Sequence, residues 1–392
     1  MKITVLNGSP KGSTSVTLQY VHYIQKLFPQ HELKIRNISP RIKKIENNAG
    51  VFREIINEID TSDGVLWATP VYYLLVPANY KRFIELIFER NAVNVFQNKY
   101  AASLTTSIHF FDHTAHNYLN AICDDLNMKY VSSFSADMYD LRKPKEQAKL
   151  RLFAENFFAT IENNIPVTKT HLKMHRQNFD YVPGNGGSKI NAGNKNVLIV
   201  SDAENHQTNL LRMIERFKGA FAGEIETVNL RELNIKGSCQ GCIRCGYDNR
   251  CVYEGKDDFI DFYNEKIKTA DILVWAGCIK DRYLSAKWKT FFDRSFYNGH
   301  TPTLIGKQVG FIISGPLSQI PNLRQILDGY VELQQANPAG FVTDESGDSK
   351  EINLLLENLS HRLVWSAQTG YIRPATFLGV GGTKLFRDDI WG

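Results

Sequence analysis

No stretch of the 392 residues reaches the roughly 18 consecutive apolar positions that a membrane-spanning helix requires. The opening MKITVLNGSP has only a short apolar run that breaks at a turn, too short for the core of a secretion signal. A cytoplasmic protein with no membrane partner is therefore expected. Charge of one sign is scarce as well: 46 Lys and Arg stand against 41 Asp and Glu, leaving +5. So even a balance does not mark a nucleic-acid face, and no nucleic-acid partner is expected. Cysteine is sparse at six residues, too few for a disulfide framework in a chain of this size in a reducing compartment. Four of the six nevertheless crowd into SCQGCIRCGYDNRC at 238–251, as metal ligands or redox groups do.

The chain is too long for one ordinary core and repeats itself. TSDGVLWA at 61–68 reads against TADILVWA at 269–276, pairing Thr61 with Thr269, Asp63 with Asp271 and Trp67 with Trp275 at a spacing of 208. Lys81 and Lys289, and Phe83 and Phe291, keep that spacing. The opening strands, ITVLN at 3–7 and VLIVS at 197–201, align at 194, so 14 residues (208 minus 194) are inserted in the second half, where the four cysteines lie.

In the first half, apolar or β-branched runs near 2–7, 31–38, 64–68, 100–107 and 129–135 alternate with helical-period segments near 16–28, 50–60, 78–90, 113–127 and 143–164. This alternation predicts an α/β protein with two flavodoxin-like, doubly wound, parallel five-stranded sheets in tandem. The expected domains are 1–170, a linker at 171–194 that includes the Gly- and Asn-rich YVPGNGGSKINAGNKN, and 195–392. A fused duplicate also predicts an intrachain pseudo-dimer of the two halves.

NGSPKGSTS at 7–15 follows the first strand and opens a helix. It has neither the GK[ST] ending of a P-loop nor a G-x-G-x-x-G, so a mononucleotide such as FMN is the expected ligand. Ser9, Lys11, Ser13, Thr14 and Ser15 are the candidate phosphate contacts at the positive end of that helix. TPVYYLLVPANYKRF at 69–83 leaves the third strand, where Pro70, Val71, Tyr72 and Tyr73 offer an apolar and aromatic wall for an isoalloxazine. Together the two segments resemble the NAD(P)H-dependent FMN reductase and iron-sulfur flavoprotein families of the flavodoxin-like superfamily. That resemblance implies that the first motif holds the FMN phosphate and the second runs along the flavin. It also places the loop after the fourth strand, with Thr106, Ser107 and His109, at the ring edge.

The second half departs from this pattern. Gly8, Ser9, Pro10 and Ser13 become Asp202, Ala203, Glu204 and Gln207, and TPVYY becomes GCIKD at 277–281. Two adjacent carboxylates are expected to repel phosphate, giving one flavin per chain and a degenerate second site.

Cys239, Cys242, Cys245 and Cys251 form C-x2-C-x2-C-x5-C, a spacing suited to a [4Fe-4S] cluster. Zinc, unligated thiols or a redox disulfide are the alternatives. The resulting expectation is an FMN-dependent oxidoreductase or electron-transfer flavoprotein. NAD(P)H or a protein is the donor, a small molecule or protein the acceptor, the cluster a relay, and a homo-oligomer the assembly. The alternatives are an FMN-dependent quinone, nitro or azo reductase with structural cysteines, and a flavin-binding sensor or scaffold with a zinc-stabilised second domain. No catalytic side chain is expected, since the flavin itself takes the hydride.

Overall fold

The computed structural model describes residues 1–185, 187 and 189–388. The chain folds into two compact units, one of 1–173 with 238–241 and one of 174–237 with 242 onward.

In the first unit the strands are β1 (Lys2–Asn7), β2 (Glu32–Asn37), β3 (Gly64–Pro70), β4 (Tyr100–Thr106) and β5 (Lys129–Ala136). Its helices are α1 (Val16–Leu27), α2 (Ile42–Asn47), α3 (Ala49–Asp60), α4 (Ala78–Glu89), α5 (Asp112–Asp125) and α6 (Pro144–Glu162). All strand pairs are parallel, in the order β2-β1-β3-β4-β5. Central strands sandwiched by helices must be apolar on both faces, and GVLWA in β3 is buried throughout. The edge strand β2, ELKIRN, instead alternates Glu, Lys and Arg with apolar residues. Helix starts are written locally: the Asn48 side chain accepts from Gly50 N and Val51 N and caps α3.

The second unit has β6 (Val197–Ser201), β7 (Glu226–Asn229), β8 (Ile272–Cys278), β9 (Gln308–Ser314) and β10 (Asn337–Thr343). Its helices are α7 (Thr208–Lys218), the short α8 (Cys245–Asp248) and α9 (Phe259–Phe262), α10 (Ala286–Ser295), α11 (Pro321–Leu333), α12 (Ser349–Thr369) and α13 (Phe377–Phe386). The parallel order, β7-β6-β8-β9-β10, is the same five-strand plan. Tyr181, within the 171–194 segment, is fully buried in this unit's core, and its amide donates to Asn209 Oδ1 at 2.9 Å.

Register shows why two spacings occur. Leu6 pairs with Trp67 and Val200 with Trp275, which reproduces 194 for the first strand and 208 for the third. The 208 spacing continues: β4 begins at Tyr100 and β9 at Gln308, β5 at Lys129 and β10 at Asn337. Thr4 pairs with Lys34 but Leu198 with Glu226, so the second strands are 192 apart (226 minus 34). The net 14 residues are thus two fewer before β7 and 16 more (208 minus 192) between β7 and β8, where the cysteines sit. The duplication also keeps a buried ion pair one turn along the helix, Lys81 with Glu85 on α4 at 2.9 Å and Lys289 with Asp293 on α10. Charges this buried persist only when paired.

Candidate functional site

Three loops leave the carboxyl ends of β1, β3 and β4, which are neighbours in the first sheet. Hydrogen bonds make them one lip. Gly8 N donates to Ala68 O at 2.7 Å, Val71 N to Thr106 O at 3.0 Å, and the Thr17 and Thr106 hydroxyls share a 2.7 Å bond. Open α/β sheets bind their ligands at this end of the strands, beside the switch in strand order.

In the first loop, Asn7 accepts from Ser9 N at 3.1 Å and donates to Gly12 O at 3.1 Å, closing the turn. A Cβ on Gly8 would come within 2.6 Å of Thr69 Oγ1 and the Tyr80 ring, so only glycine fits there. Ser9 is buried, and its hydroxyl accepts from Lys11 N at 3.3 Å. Ser15 is buried too and accepts from Leu18 N at 3.2 Å, capping α1. Lys11, Ser13 and Thr14 are exposed. Of the five candidate phosphate residues, Ser9 and Ser15 build the loop, Thr14 is exposed but donates its hydroxyl to Lys11 O at 2.9 Å, and Lys11 and Ser13 face outward. The first-turn amides of Val16 and Thr17 have no intrahelical acceptor. Hydroxyls, one ammonium group and helix-start amides are a donor set that fits a phosphate dianion.

Pro70, Val71, Tyr72 and Tyr73 are all partly exposed. Tyr72 N donates to Leu75 O at 2.8 Å and Leu75 N to Tyr72 O at 3.2 Å. The two residues between them have positive φ, 40° at Tyr73 and 70° at Leu74. Such a turn ordinarily uses Asn-Gly, and a bulky residue in the left-handed region costs about 1–2 kcal/mol. Burial of Leu74 and a 2.6 Å bond from Thr114 Oγ1 to its carbonyl hold the turn in place. The backbone that carries Tyr72 and Tyr73 is thereby fixed.

In the third loop Thr106 is buried, and Ser107 accepts from His109 N at 2.9 Å. His109 Nδ1 lies 3.0 Å from Asp112 Oδ2, which also accepts from Ser135 at 2.6 Å. Burial would raise the Asp112 carboxyl, but hydrogen bonds from Ser135, His109 and His113 N outweigh it and hold it below its ordinary value. His116 bonds Thr105 Oγ1 at 2.7 Å, and burial lowers its pKa to about 4. Sequence reasoning missed Thr17, Ser39 and Asn79. Ser39 donates to Gly8 O at 2.5 Å and Asn79 Nδ2 to Ser39 O at 2.9 Å, bracing the first loop from behind. A buried threonine on the apolar face of α1 is the one signal that could have flagged Thr17.

The second unit repeats the loop bonds with different side chains. Ala203 N donates to Ser201 Oγ at 3.0 Å, Ile279 N to Ser314 O at 3.0 Å and Lys280 N to Tyr283 O at 3.0 Å. The two carboxylates expected to repel phosphate both have partners within the unit. Asp202 is buried and accepts from Ser285, while Glu204 pairs with Arg231 at 2.7 Å and Lys280 at 3.2 Å. Burial would raise the Glu204 carboxyl, but Arg231 and Lys280 outweigh it and lower it. An internal carboxylate thus engages two cations beside the position of a phosphate loop.

All six cysteines are free thiols. Cys239, in the first unit, accepts from Gly241 N at 3.4 Å. Cys242, Cys245 and Cys251 belong to the second unit. Burial, then the neighbouring Cys242 and Cys251, push the Cys245 thiol up. Among the described residues no group of three or more His, Cys, Asp or Glu side chains is placed to hold a metal ion. No helix among the described residues is long and apolar enough to cross a membrane.

The NADPH-dependent FMN reductase family matches residues 1–139 and, a second time, residues 196–348. The chain belongs to this family. Within this FMN reductase chain the two matches cover both five-stranded sheets and leave out helices α6, α12 and α13. An iron-sulfur flavoprotein from Archaeoglobus fulgidus is 33% identical over 90 residues, 23% of this chain. The chain spans 39% of the length of that curated relative. Among solved structures, an NADH:FMN oxidoreductase in its apo form matches at 18% identity, covering 41% of this chain and 89% of its own, with a TM-score of 0.35. A flavoenzyme NAD(P)H:(acceptor) oxidoreductase from Paracoccus denitrificans matches at 19% identity, 41% and 97% coverage, and a TM-score of 0.34. Strand order, not these overlays, defines the fold.

Proposed function

We propose that the first unit binds FMN, one per chain, and uses it to pass reducing equivalents from NADH or NADPH to a small-molecule or protein acceptor. One contrast carries the reading. The two repeats share strand order and loop bonds, but the first presents Lys11, Ser13 and Thr14 outward at the start of its first helix, whereas the second presents Thr208 there and holds Glu204 between Arg231 and Lys280. When bound, FMN supplies the redox chemistry, accepting a hydride and releasing electrons singly or in pairs. The chain's own residues bind and orient it. Lys11, Ser13, Thr14 and the amides of Val16 and Thr17 take the phosphate. Val71, Tyr72 and Tyr73 cover a ring face and exclude water, and Thr106, Ser107 and His109 border its edge.

The test is stoichiometry. Protein reconstituted with excess FMN and freed of unbound flavin should release close to one FMN per chain on acid treatment, and oxidise NADH or NADPH when an acceptor is added. Two flavins per chain, or none, would overturn the assignment.

A second reading, that the cysteines carry a [4Fe-4S] cluster, is favoured by the C-x2-C-x2-C-x5-C spacing and by the likeness to an iron-sulfur flavoprotein. Iron and acid-labile sulfide measured on anaerobically purified protein decide it: about four of each per chain supports the cluster, and zinc or no metal rejects it.

A further inference from the structure

The first unit contains four residues that are remote in sequence from the rest of it, Ser238–Gly241, at the head of the cysteine run. Two contacts tie them to the candidate site. Ser238 Oγ donates to Asn79 Oδ1 at 2.8 Å, and Asn79 in turn donates to Ser39 O, whose hydroxyl bonds Gly8 O. At the other end, Gly241 has φ +63°, and a Cβ built there would lie 1.7 Å from Tyr72 Oη and 2.8 Å from Cζ. Both distances are far inside van der Waals contact. The backbone at Gly241 is therefore seated on the phenol of Tyr72, and a side chain at 241 would have to displace that phenol. The same four residues reach the loop proposed for the phosphate and the tyrosine proposed for the ring.

We infer that Ser238–Gly241 is a fourth wall of the flavin site, and that Gly241 is the residue that sets where Tyr72 stands against the isoalloxazine. This rests on the FMN reading given above. The segment lies in the connection between β7 and β8, which is 16 residues longer than its counterpart between β2 and β3. Gly241 acts as a positioning residue: its missing side chain admits Tyr72, and Tyr72 meets the ligand.

Gly241→Ala, Tyr72→Ala and the double variant test it in the full chain, with FMN titrated by quenching of its fluorescence and the bound flavin read by visible circular dichroism. Gly255→Ala is the control, since Gly255 has φ +66° with nothing within 4 Å of its Cβ position and so shares the backbone strain without the contact. Gly241→Ala should weaken FMN at least tenfold and change the flavin dichroism, whereas Gly255→Ala should leave both as in the parent. In the Tyr72→Ala background, adding Gly241→Ala should cost less than threefold, because the atoms it strikes are gone. Equal FMN affinity and dichroism in Gly241→Ala and parent would overturn the wall while leaving the FMN reading intact, as would equal losses in both backgrounds. A parent chain that fails to bind FMN would overturn both. Should Gly241→Ala fail to fold, recovery of folding and FMN binding in the double variant supports the contact, and failure of the double variant to recover overturns it.

Discussion

Arg294 donates to both carboxylate oxygens of Asp257, at 2.8 and 2.9 Å, with both side chains wholly buried. The same guanidinium donates to Gly237 O at 2.9 Å and stacks over Tyr253 and Phe259, 4.1 and 4.9 Å from their centroids. Gly237 precedes the four cysteines and Asp257 follows them. One residue of α10 thus closes the base of the added segment.

Arg294→Met should destabilise the protein by about 3–5 kcal/mol, since it leaves a buried carboxylate unpaired. Urea unfolding followed by far-UV circular dichroism measures this, and a loss below about 1 kcal/mol would contradict the role. Burial would raise the Asp257 carboxyl, but Arg294 outweighs it and lowers it below the ordinary 3.8. A depressed carboxylate contributes stability that is complete above its unfolded pKa and lost as pH falls through the folded one. In the parent this contribution should therefore be complete above about pH 3.8 and fall away below it, and the gap to Arg294→Met should close as pH falls.

Ser13 and Ser15 should separate binding from stability. Ser13 is exposed, so Ser13→Ala should remove one hydrogen bond to the phosphate, worth about 1.5–3 kcal/mol, and weaken FMN tenfold or more with unchanged thermal stability. Ser15 caps α1, so Ser15→Ala should cost about 1 kcal/mol of folding stability, seen as a lower melting temperature. A Ser13→Ala variant with the parent's FMN dissociation constant would remove Ser13 from the site.

Acidification should weaken the first unit through His116. Its buried ring, bonded to Thr105, titrates at about 4 instead of 6.5, so it is neutral when folded and protonated when unfolded between those values. The unfolded chain binds the extra proton there, and stability must fall as pH drops from 6.5 towards 4. His116→Gln, which can still bond Thr105, should flatten that segment of a urea-midpoint profile. An unchanged slope would assign the acid sensitivity elsewhere.

Glu204→Ala should expose an anion site in the second unit. The pairs with Arg231 and Lys280 are partly solvated, so their loss should cost no more than about 1 kcal/mol. Inorganic phosphate should then raise the melting temperature of the variant and not that of the parent at equal ionic strength. An equal response in both would mean that the carboxylate does not occupy a phosphate position.

Much of this architecture could be read from residues alone. Parallel strands buried on both faces must be apolar throughout, so GVLWA and ILVWA announce themselves, and helices leave a period in their burial. Duplicated strands keep their register, which is why Leu6 opposite Trp67 and Val200 opposite Trp275 appear in the sequence as spacings of 194 and 208. Strand order then brings the NGSPKGSTS, TPVYY and TTSIH loops to one edge. What the chain's order could not reveal is how polar side chains are spent. Ser9, Ser13 and Ser15 look alike in sequence, yet two bond the backbone of their own loop and one faces solvent. Glu204 finds cations 27 and 76 residues away, and Arg294 finds Asp257 at a separation of 37. Gly241 meets a tyrosine 169 positions earlier (241 minus 72). Period and propensity record a residue's neighbours within a turn or a strand, whereas these partners are chosen by which loops the finished sheets bring within bonding distance, a choice with no local signature.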